Sequence, residues 1–380
     1  MKVLILTCNT GQGHNSSATS IKEYFVANGH VCDTADALSF LSAKASKIIC
    51  TCFTGIYRHI PQAFNIGYSH SGTKAPAEAS LSPNEHIQRV KKTDYMTKAM
   101  IFGTRKLRKF IADNDYTHII SVHLFPAVMI NFMQKKFPLD IKNFLLATDY
   151  TCYPFIEKTN ADVYFLPHKD LADEFASRGI PRERTVASGI PVRKAFLSMP
   201  TRQQARLELG IPADAKLVFM MCGSMGCGPI KSIAAEIARA LPNGARLIVS
   251  CGTNKKLLTS LQKLGMDNLI PLGYSNDIPR IMAAADLFIT KPGGLSITEA
   301  GVAGLPMLLM NVVGGCETPN YNFFANHNFA FIASDSKDIP KICTDILLKP
   351  DSLRLCEQNL KSSFLGNAVE IIYNTVVNCQ

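Results

Sequence analysis

The segment DLFITKPGGLSITEAGVAGLPMLLMNVVGGCETPNYNFF, Asp286 to Phe324, carries two fold signals in succession. An apolar run from Asp286 to Thr290 meets Lys291-Pro292-Gly293-Gly294, and Ser296 to Ala300 follow with helical spacing. A strand, a glycine turn and a helix in that order leave a nest of backbone N–H groups at the positive end of a helix dipole, where a phosphate is favoured. Glycine suits the turn because a residue without a side chain lets the backbone approach a diphosphate closely. Glu299 falls one turn into the helix, where its carboxylate can reach the diol of a ribose beside such phosphates. The next apolar run, Met307 to Met310, ends in Gly314-Gly315-Cys316-Glu317-Thr318-Pro319-Asn320. Two polar loops at the carboxyl ends of adjacent strands are where an open α/β sheet binds ligand.

The same grammar recurs on either side. Lys216 to Cys222 reads as a strand running into Gly223-Ser224-Met225-Gly226, and Arg246 to Cys251 and Leu269 to Leu272 read as further strands. Thr201 to Leu209 reads as a helix that Ile211-Pro212 ends. Gly189-Ile190-Pro191-Val192-Arg193 marks a domain boundary. Ahead of it, Val3 to Cys8 is a strand, Asn9 to Ala18 a turn opening a helix to about Asn28, and His30 to Asp33 a second strand. Strands His118 to Val122, Asn143 to Ala147 and Asp162 to Leu166 end in His123-Leu124-Phe125-Pro126, Thr148-Asp149-Tyr150 and Pro167-His168. Strands alternating with helices predict an α/β protein with parallel sheets in both halves. Gly11-x-Gly13-x-x-Ser16, with Asp33 twenty residues past Gly13, also approximates a dinucleotide fingerprint, although Ser16 stands where its third glycine belongs. A nicotinamide dehydrogenase using that loop is therefore one reading.

Composition narrows the classes. At 380 residues with 47% apolar content, the chain is long enough for two or three domains with real cores. The formal net charge is +10, and Lys and Arg outnumber acids 22 to 16 within residues 1–190. That favours an anionic partner; aromatic–basic nucleic-acid motifs are absent, so no nucleic acid is expected. The twelve cysteines are scattered without a C-x-x-C pair, as expected of reduced, buried thiols in a cytosolic protein. No metal site is expected: Asp113-Asn114-Asp115 lies in a polar break and reads as a turn. The N-terminus reads as a first strand and no run is long enough to span a bilayer. Residues 39–86 read as a substrate-binding excursion. Residues 87–112 follow a helical pattern, and from Arg89 to Lys109 there are eight Lys or Arg against one acid, Asp94. Such a helix suits an anionic membrane surface, or covers a sheet with its cations in solvent.

Taken in order, TGQGHNSSA, SVHLFP, ATDY, SGIPVRKAF, MCGSMG, LGYSNDIPRIMAAADLFITKPGGLSITEA and GGCETPNYNFF, from Thr10 to Phe324, resemble the lipid glycosyltransferases of the GT-B fold. Bacterial processive diacylglycerol beta-glucosyltransferases and plant monogalactosyldiacylglycerol synthases are the nearest in pattern. The resemblance implies two Rossmann-like domains with mostly parallel sheets facing across a cleft. Residues 1–190 would form an acceptor and membrane domain, 191–360 a UDP-sugar domain, and 361–380 a helix packing back towards the first. The expected reaction inverts the anomeric carbon and uses no metal or cofactor beyond the co-substrate, UDP-glucose or UDP-galactose. The expected acceptor is diacylglycerol or a glycosyl-diacylglycerol, reached from the inner face of the cell membrane by a peripheral cytoplasmic protein. A sugar-nucleotide epimerase shares the design and is an alternative.

By the same resemblance Gly293, Gly294, Leu295 and Ser296 would hold the diphosphate and Glu299 the ribose. Arg193, Gly223 and Ser224 would lie near the diphosphate, Tyr274 near the uracil, and Glu317 and Asn320 at the donor sugar or its phosphates. Cys316 stands where relatives usually carry Gln, which leaves the sugar open. Gly11 and Gly13 would shape the acceptor loop. His14 is expected to be the base or to orient the acceptor, its pKa depressed by a helix N-terminus; His123 and Asp149 are rival candidates.

Overall fold

The apolar runs become strands of two separate six-stranded sheets, parallel throughout. They are seen in a computed structural model that describes residues 1–8, 12–41, 102–223, 229–310 and 317–379. The chain divides into two units, Met1–Pro191 with Asn367–Gln380, and Val192–Gly366.

In the first unit β1 (Lys2–Thr7), β2 (Val31–Asp36), β3 (His118–Ser121), β4 (Lys142–Leu146), β5 (Val163–Leu166) and β6 (Thr185–Ala187) lie in the order β2-β1-β3-β4-β5-β6. The chain leaves β1 for one side and resumes at β3 on the other, so the topological switch point lies between β1 and β3. Strands buried on both faces need apolar residues at every position. Val3 and Ile5 accordingly meet Phe25 and Phe144 on one face, together with Ile372 and Val376 of the Ala368–Asn378 helix. Leu4 and Leu6 meet Leu107, Ile111, Met129 and Met133 on the other. The chain returns to this unit at Asn367, and the Pro350–Ser363 helix stays with the second.

The second unit comprises β7 (Leu217–Met221), β8 (Arg246–Ser250), β9 (Leu269–Leu272), β10 (Leu287–Thr290), β11 (Met307–Met310) and β12 (Phe331–Ala333), ordered β12-β11-β10-β7-β8-β9. Its switch point lies between β7 and β10. A buried ion pair ties the starts of these two strands. Arg206, 6% exposed, donates from Nε to the Ala284 carbonyl (3.0 Å), from Nη1 to the Ala213 carbonyl (2.6 Å) and from Nη2 to Asp286 Oδ2 (2.7 Å). The same carboxylate oxygen accepts from the Leu217 amide (2.8 Å). Arg206 sits on the Arg202–Glu208 helix, which Thr201 and Gln204 open with a reciprocal capping box.

The Gly294–Val302 helix also approaches its neighbours closely. A Cβ at Gly301 would lie 2.7 Å from the ring of Phe364, which packs against Phe324 and Phe329. Gly301→Val is expected to cost about 1–3 kcal/mol through overpacking, more than any gain in helix propensity. Thermal melting of the variant checks this.

Two strands are not among those predicted, β6 and β12, each a three-residue edge strand. Of Asp113-Asn114-Asp115, the last two form a turn: Asp113 ends the preceding helix and pairs with Lys109, and Asp115 adopts φ 52°. The excursion over 42–86 and most of the cationic stretch lie outside the described residues. From 102 to 113 that stretch is helical; Leu107 and Ile111 are buried and Arg105, Lys106, Arg108 and Lys109 are exposed. No helix among the described residues is long and apolar enough to cross a membrane.

Candidate active site

Both clusters of candidate residues sit at switch points. In the first unit His14 lies in the first turn of the Gln12–Ala27 helix, which follows β1. The Ser17 hydroxyl fixes that helix by donating to the Pro191 carbonyl (3.1 Å). His14 Nδ1 is 3.0 Å from the Val122 carbonyl, just past β3. A carbonyl oxygen only accepts, so Nδ1 carries the hydrogen and Nε2 of the neutral ring keeps its lone pair. The Thr148 hydroxyl, beyond β4, lies 3.1 Å from the same Nδ1. Tyr153 holds Thr148 in place: its hydroxyl accepts from the Thr148 amide (2.8 Å), lies 3.0 Å from the Thr148 hydroxyl and donates to Asp149 Oδ2 (3.4 Å).

His123 meets His14 edge to face, ring centres 4.8 Å apart. Its Nδ1 accepts from the Phe125 amide (3.0 Å), capping the Leu124–Lys136 helix, so its Nε2 carries the hydrogen. The structure thus gathers His14 and His123, with Asp149 joined to them through Tyr153 and Thr148. Only His14 presents a ring nitrogen that can take a proton without giving up a cap.

Burial lowers the His14 pKa to about 4, against the opposing pull of the Val122 carbonyl. Burial and then the neighbouring His14 lower His123 to about 3. The sequence predicts a neutral His14 from its place at a helix N-terminus; the imidazole is neutral because it is desolvated. Both folded values lie below the unfolded value of 6.5. Between the two the unfolded chain binds more protons, so stability rises with pH through that window and is lost on acidification. Nitrogen NMR of labelled histidine is expected to show His14 as the neutral Nδ1–H tautomer at pH 6, while an exposed histidine is largely protonated. A protonated His14 at pH 6 would contradict this.

In the second unit the turn after β10 gathers residues from four segments. Gly293 precedes the Gly294–Val302 helix with no side-chain cap, so the first-turn amides of 294–296 are the donors such a helix start presents. Lys291 pairs with Glu317, the first residue of the Glu317–Asn326 helix. Asn320 donates from Nδ2 to the Pro292 carbonyl (2.9 Å) and ties that helix to the turn. Gly223, two residues past β7, adopts φ 71°, a conformation that favours glycine, and a Cβ there would come within 3.1 Å of Lys291 Cε. Glu299 is 5% exposed, and its Oε1 lies 3.7 Å from Nε of Arg193. Burial raises the Glu299 pKa to about 7, although Arg193 pulls it down. A carboxyl titrating there can both accept from and donate to a diol. The folded value lies above the ordinary 4.5, so this contribution to stability is lost as pH rises from 4.5 through 7.

Arg193 is therefore placed on Glu299. Tyr274 stands apart, 70% exposed just past β9, three inter-strand spacings, roughly 14 Å, from β10. Gly13 lies in the helix beside His14, and Gly11, Ser224 and Cys316 fall outside the described residues. No sequence signal gives Thr148, Tyr153, the Val122 carbonyl or Lys291 a role. Thr148 and Lys291 lay in loops already singled out; Thr148 meets His14 across 134 residues and Lys291 meets Glu317 across 26, contacts that only the fold supplies.

The chain matches the family model "Monogalactosyldiacylglycerol (MGDG) synthase" over residues 14–192 and "Glycosyltransferase family 28 C-terminal domain" over residues 217–320. The chain is a glycosyltransferase of the GT-B fold. The glycosyltransferase is 26% identical to a processive diacylglycerol beta-glucosyltransferase of Bacillus pumilus, covering 99% of this chain and 94% of the relative. It is 28% identical to the chloroplastic monogalactosyldiacylglycerol synthase of Spinacia oleracea, covering 94% of this chain and 68% of the relative. Among solved structures, MurG of Acinetobacter baumannii shares the fold with a TM-score of 0.66 and 14% identity, covering 99% of each chain.

Proposed function

We propose that this glycosyltransferase moves a hexose from UDP-glucose or UDP-galactose to diacylglycerol or its monoglycosylated product, inverting the anomeric carbon. The observation that carries the reading is the turn at the β7/β10 switch point, where uncapped amides of 294–296 lie near buried Glu299 and Glu317. That set suits a diphosphate, a ribose diol and a hexose in one place. The curated relatives named above supply the lipid and the sugar.

The acceptor hydroxyl gives its proton to Nε2 of His14 as its oxygen bonds to the anomeric carbon. The bond from that carbon to the β-phosphate oxygen breaks, and its electron pair leaves with UDP. The amides of 294–296 and Arg193 meet the charge, so the proposal needs no metal. Glu299 takes the ribose, Asn320 and Glu317 the sugar side, and Gly223 and Ser224 the approach to the phosphates; Tyr274, apart from this turn, is left only the far, uracil end of the nucleotide.

The acceptor is reached at a membrane surface, which we assign to the cytoplasmic leaflet. Exposed Arg105, Lys106, Arg108 and Lys109 beside exposed Phe102 suit an anionic bilayer. Flotation with anionic vesicles is expected to carry the protein at low salt and release it at high salt; no salt-sensitive binding contradicts this part.

The dehydrogenase reading loses its ribose acid, because Asp33 accepts from the Tyr116 hydroxyl (2.8 Å). An epimerase would consume UDP-sugar without an acceptor. Incubation with each UDP-sugar, with and without diacylglycerol, and mass spectrometry of the lipids decides: a hexosyl-lipid supports the proposal, and sugar conversion without lipid product overturns it.

A further inference from the structure

The Lys291–Glu317 pair is more than a brace. Both partners are largely buried, their side chains 14% and 5% exposed. An ion pair in such a place gives little net stability compared with packed hydrocarbon, because desolvation offsets most of its attraction. Yet the fold makes room for it on two sides. A Cβ at Gly223 would lie 3.1 Å from Lys291 Cε, and one at Gly293 would lie 3.4 Å from Nζ and 3.7 Å from Glu317 Oε1. Both glycine turns leave the space that the end of this lysine fills. Gly223 lies two residues past β7 and Lys291 follows β10, so the ammonium stands at the switch point beside the start of the Gly294–Val302 helix.

We propose that Lys291 is a further donor-binding residue, and that Glu317 holds its ammonium until the β-phosphate of the UDP-sugar takes it over. The inference rests on the function proposed above. A lysine ammonium is a compact point charge with rotatable donors, suited to moving from a carboxylate to a phosphate oxygen within one small space. The exchange leaves Glu317 an acceptor for a hexose hydroxyl. Its helix stays in register because Asn320 holds the Pro292 carbonyl independently of the lysine. At bond cleavage the same ammonium meets the charge growing on the departing β-phosphate, the task a divalent cation performs in other phosphate sites.

The test compares UDP with UMP, which lacks the β-phosphate, by calorimetry on wild type, Lys291→Met and Lys291→Arg. Lys291→Met is expected to lose about 10- to 100-fold in UDP affinity, the range of a hydrogen bond to a charged group, with UMP affinity changed less than about twofold. Lys291→Arg is expected to recover part of the loss. Equal loss for both nucleotides would mean a purely structural lysine, and no loss for UDP would mean no contact; either overturns the inference. Should Lys291→Met not fold, the double variant Lys291→Met with Glu317→Gln leaves neither charge stranded and carries the same comparison. Wild type binding neither nucleotide would instead overturn the proposed function, so the two failures are distinguishable.

Discussion

His14→Ala is expected to lower kcat for sugar transfer by about 10²–10⁴-fold, with KM for the UDP-sugar changed by less than about twofold. The split follows from the division of labour: His14 belongs to the first unit, whereas the proposed donor contacts Gly293, Glu299 and Glu317 belong to the second. The Val122 carbonyl takes the Nδ1 hydrogen at 3.0 Å and leaves Nε2 as the basic nitrogen. Burial keeps the ring neutral, with a pKa of about 4. His123 has the opposite arrangement, its Nδ1 engaged by the Phe125 amide. His123→Ala is therefore expected to remove a helix cap worth about 1 kcal/mol and to lower kcat far less. Thr148→Val frees one partner of Nδ1 while the Val122 carbonyl remains, so a smaller loss in kcat is expected. A large loss in Asp149→Asn with near-normal turnover in His14→Ala would move the base to Asp149, which the Tyr153 hydroxyl joins to the same network.

Arg206→Ala has the second-largest expected effect, on stability. Removing the guanidinium strands the Asp286 carboxylate and the Ala213 and Ala284 carbonyls where little water reaches. Breaking a buried pair from one side costs about 3–5 kcal/mol, which lowers the melting temperature of a unit of this size by on the order of 10 °C. Arg202 also approaches Asp286 (3.3 Å), but its side chain is 45% exposed and cannot replace the lost donors. Arg206→Met combined with Asp286→Leu is expected to recover much of the stability, since it leaves no unpaired charge. Scanning calorimetry checks both; a melting temperature unchanged in Arg206→Ala would remove the clamp from the account.

The sequence carried the fold where strands are buried on both faces and end in polar turns. Met307–Met310 and Leu269–Leu272 are strands with the bounds their apolar runs suggest. The edge strands Thr185–Ala187 and Phe331–Ala333 are three residues long and partly exposed; only Val186 and Ala187 mark the first, whereas the second ends an apolar stretch, Phe329 to Ala333, that the sequence does offer. Candidate site residues could be named together where one turn holds them all, as from Gly293 to Glu299. Contacts between segments could not be: the Thr148 hydroxyl meets His14 across 134 residues, and Glu317 meets Lys291 across 26. Asp33 shows the converse error. Its spacing from Gly13 fits a ribose acid, yet it lies mid-strand in β2 with its carboxylate on Tyr116. Spacing alone cannot say which partner a carboxylate finds first.

The turn after β10 is the proposed grip on the nucleotide. The most direct test is a crystal structure of the protein with UDP bound. The diphosphate is expected on the amides of Gly294, Leu295 and Ser296 with the ribose at Glu299. A nucleotide lodged instead at the first-unit turn that precedes His14, with the Gly293 turn empty, would contradict it.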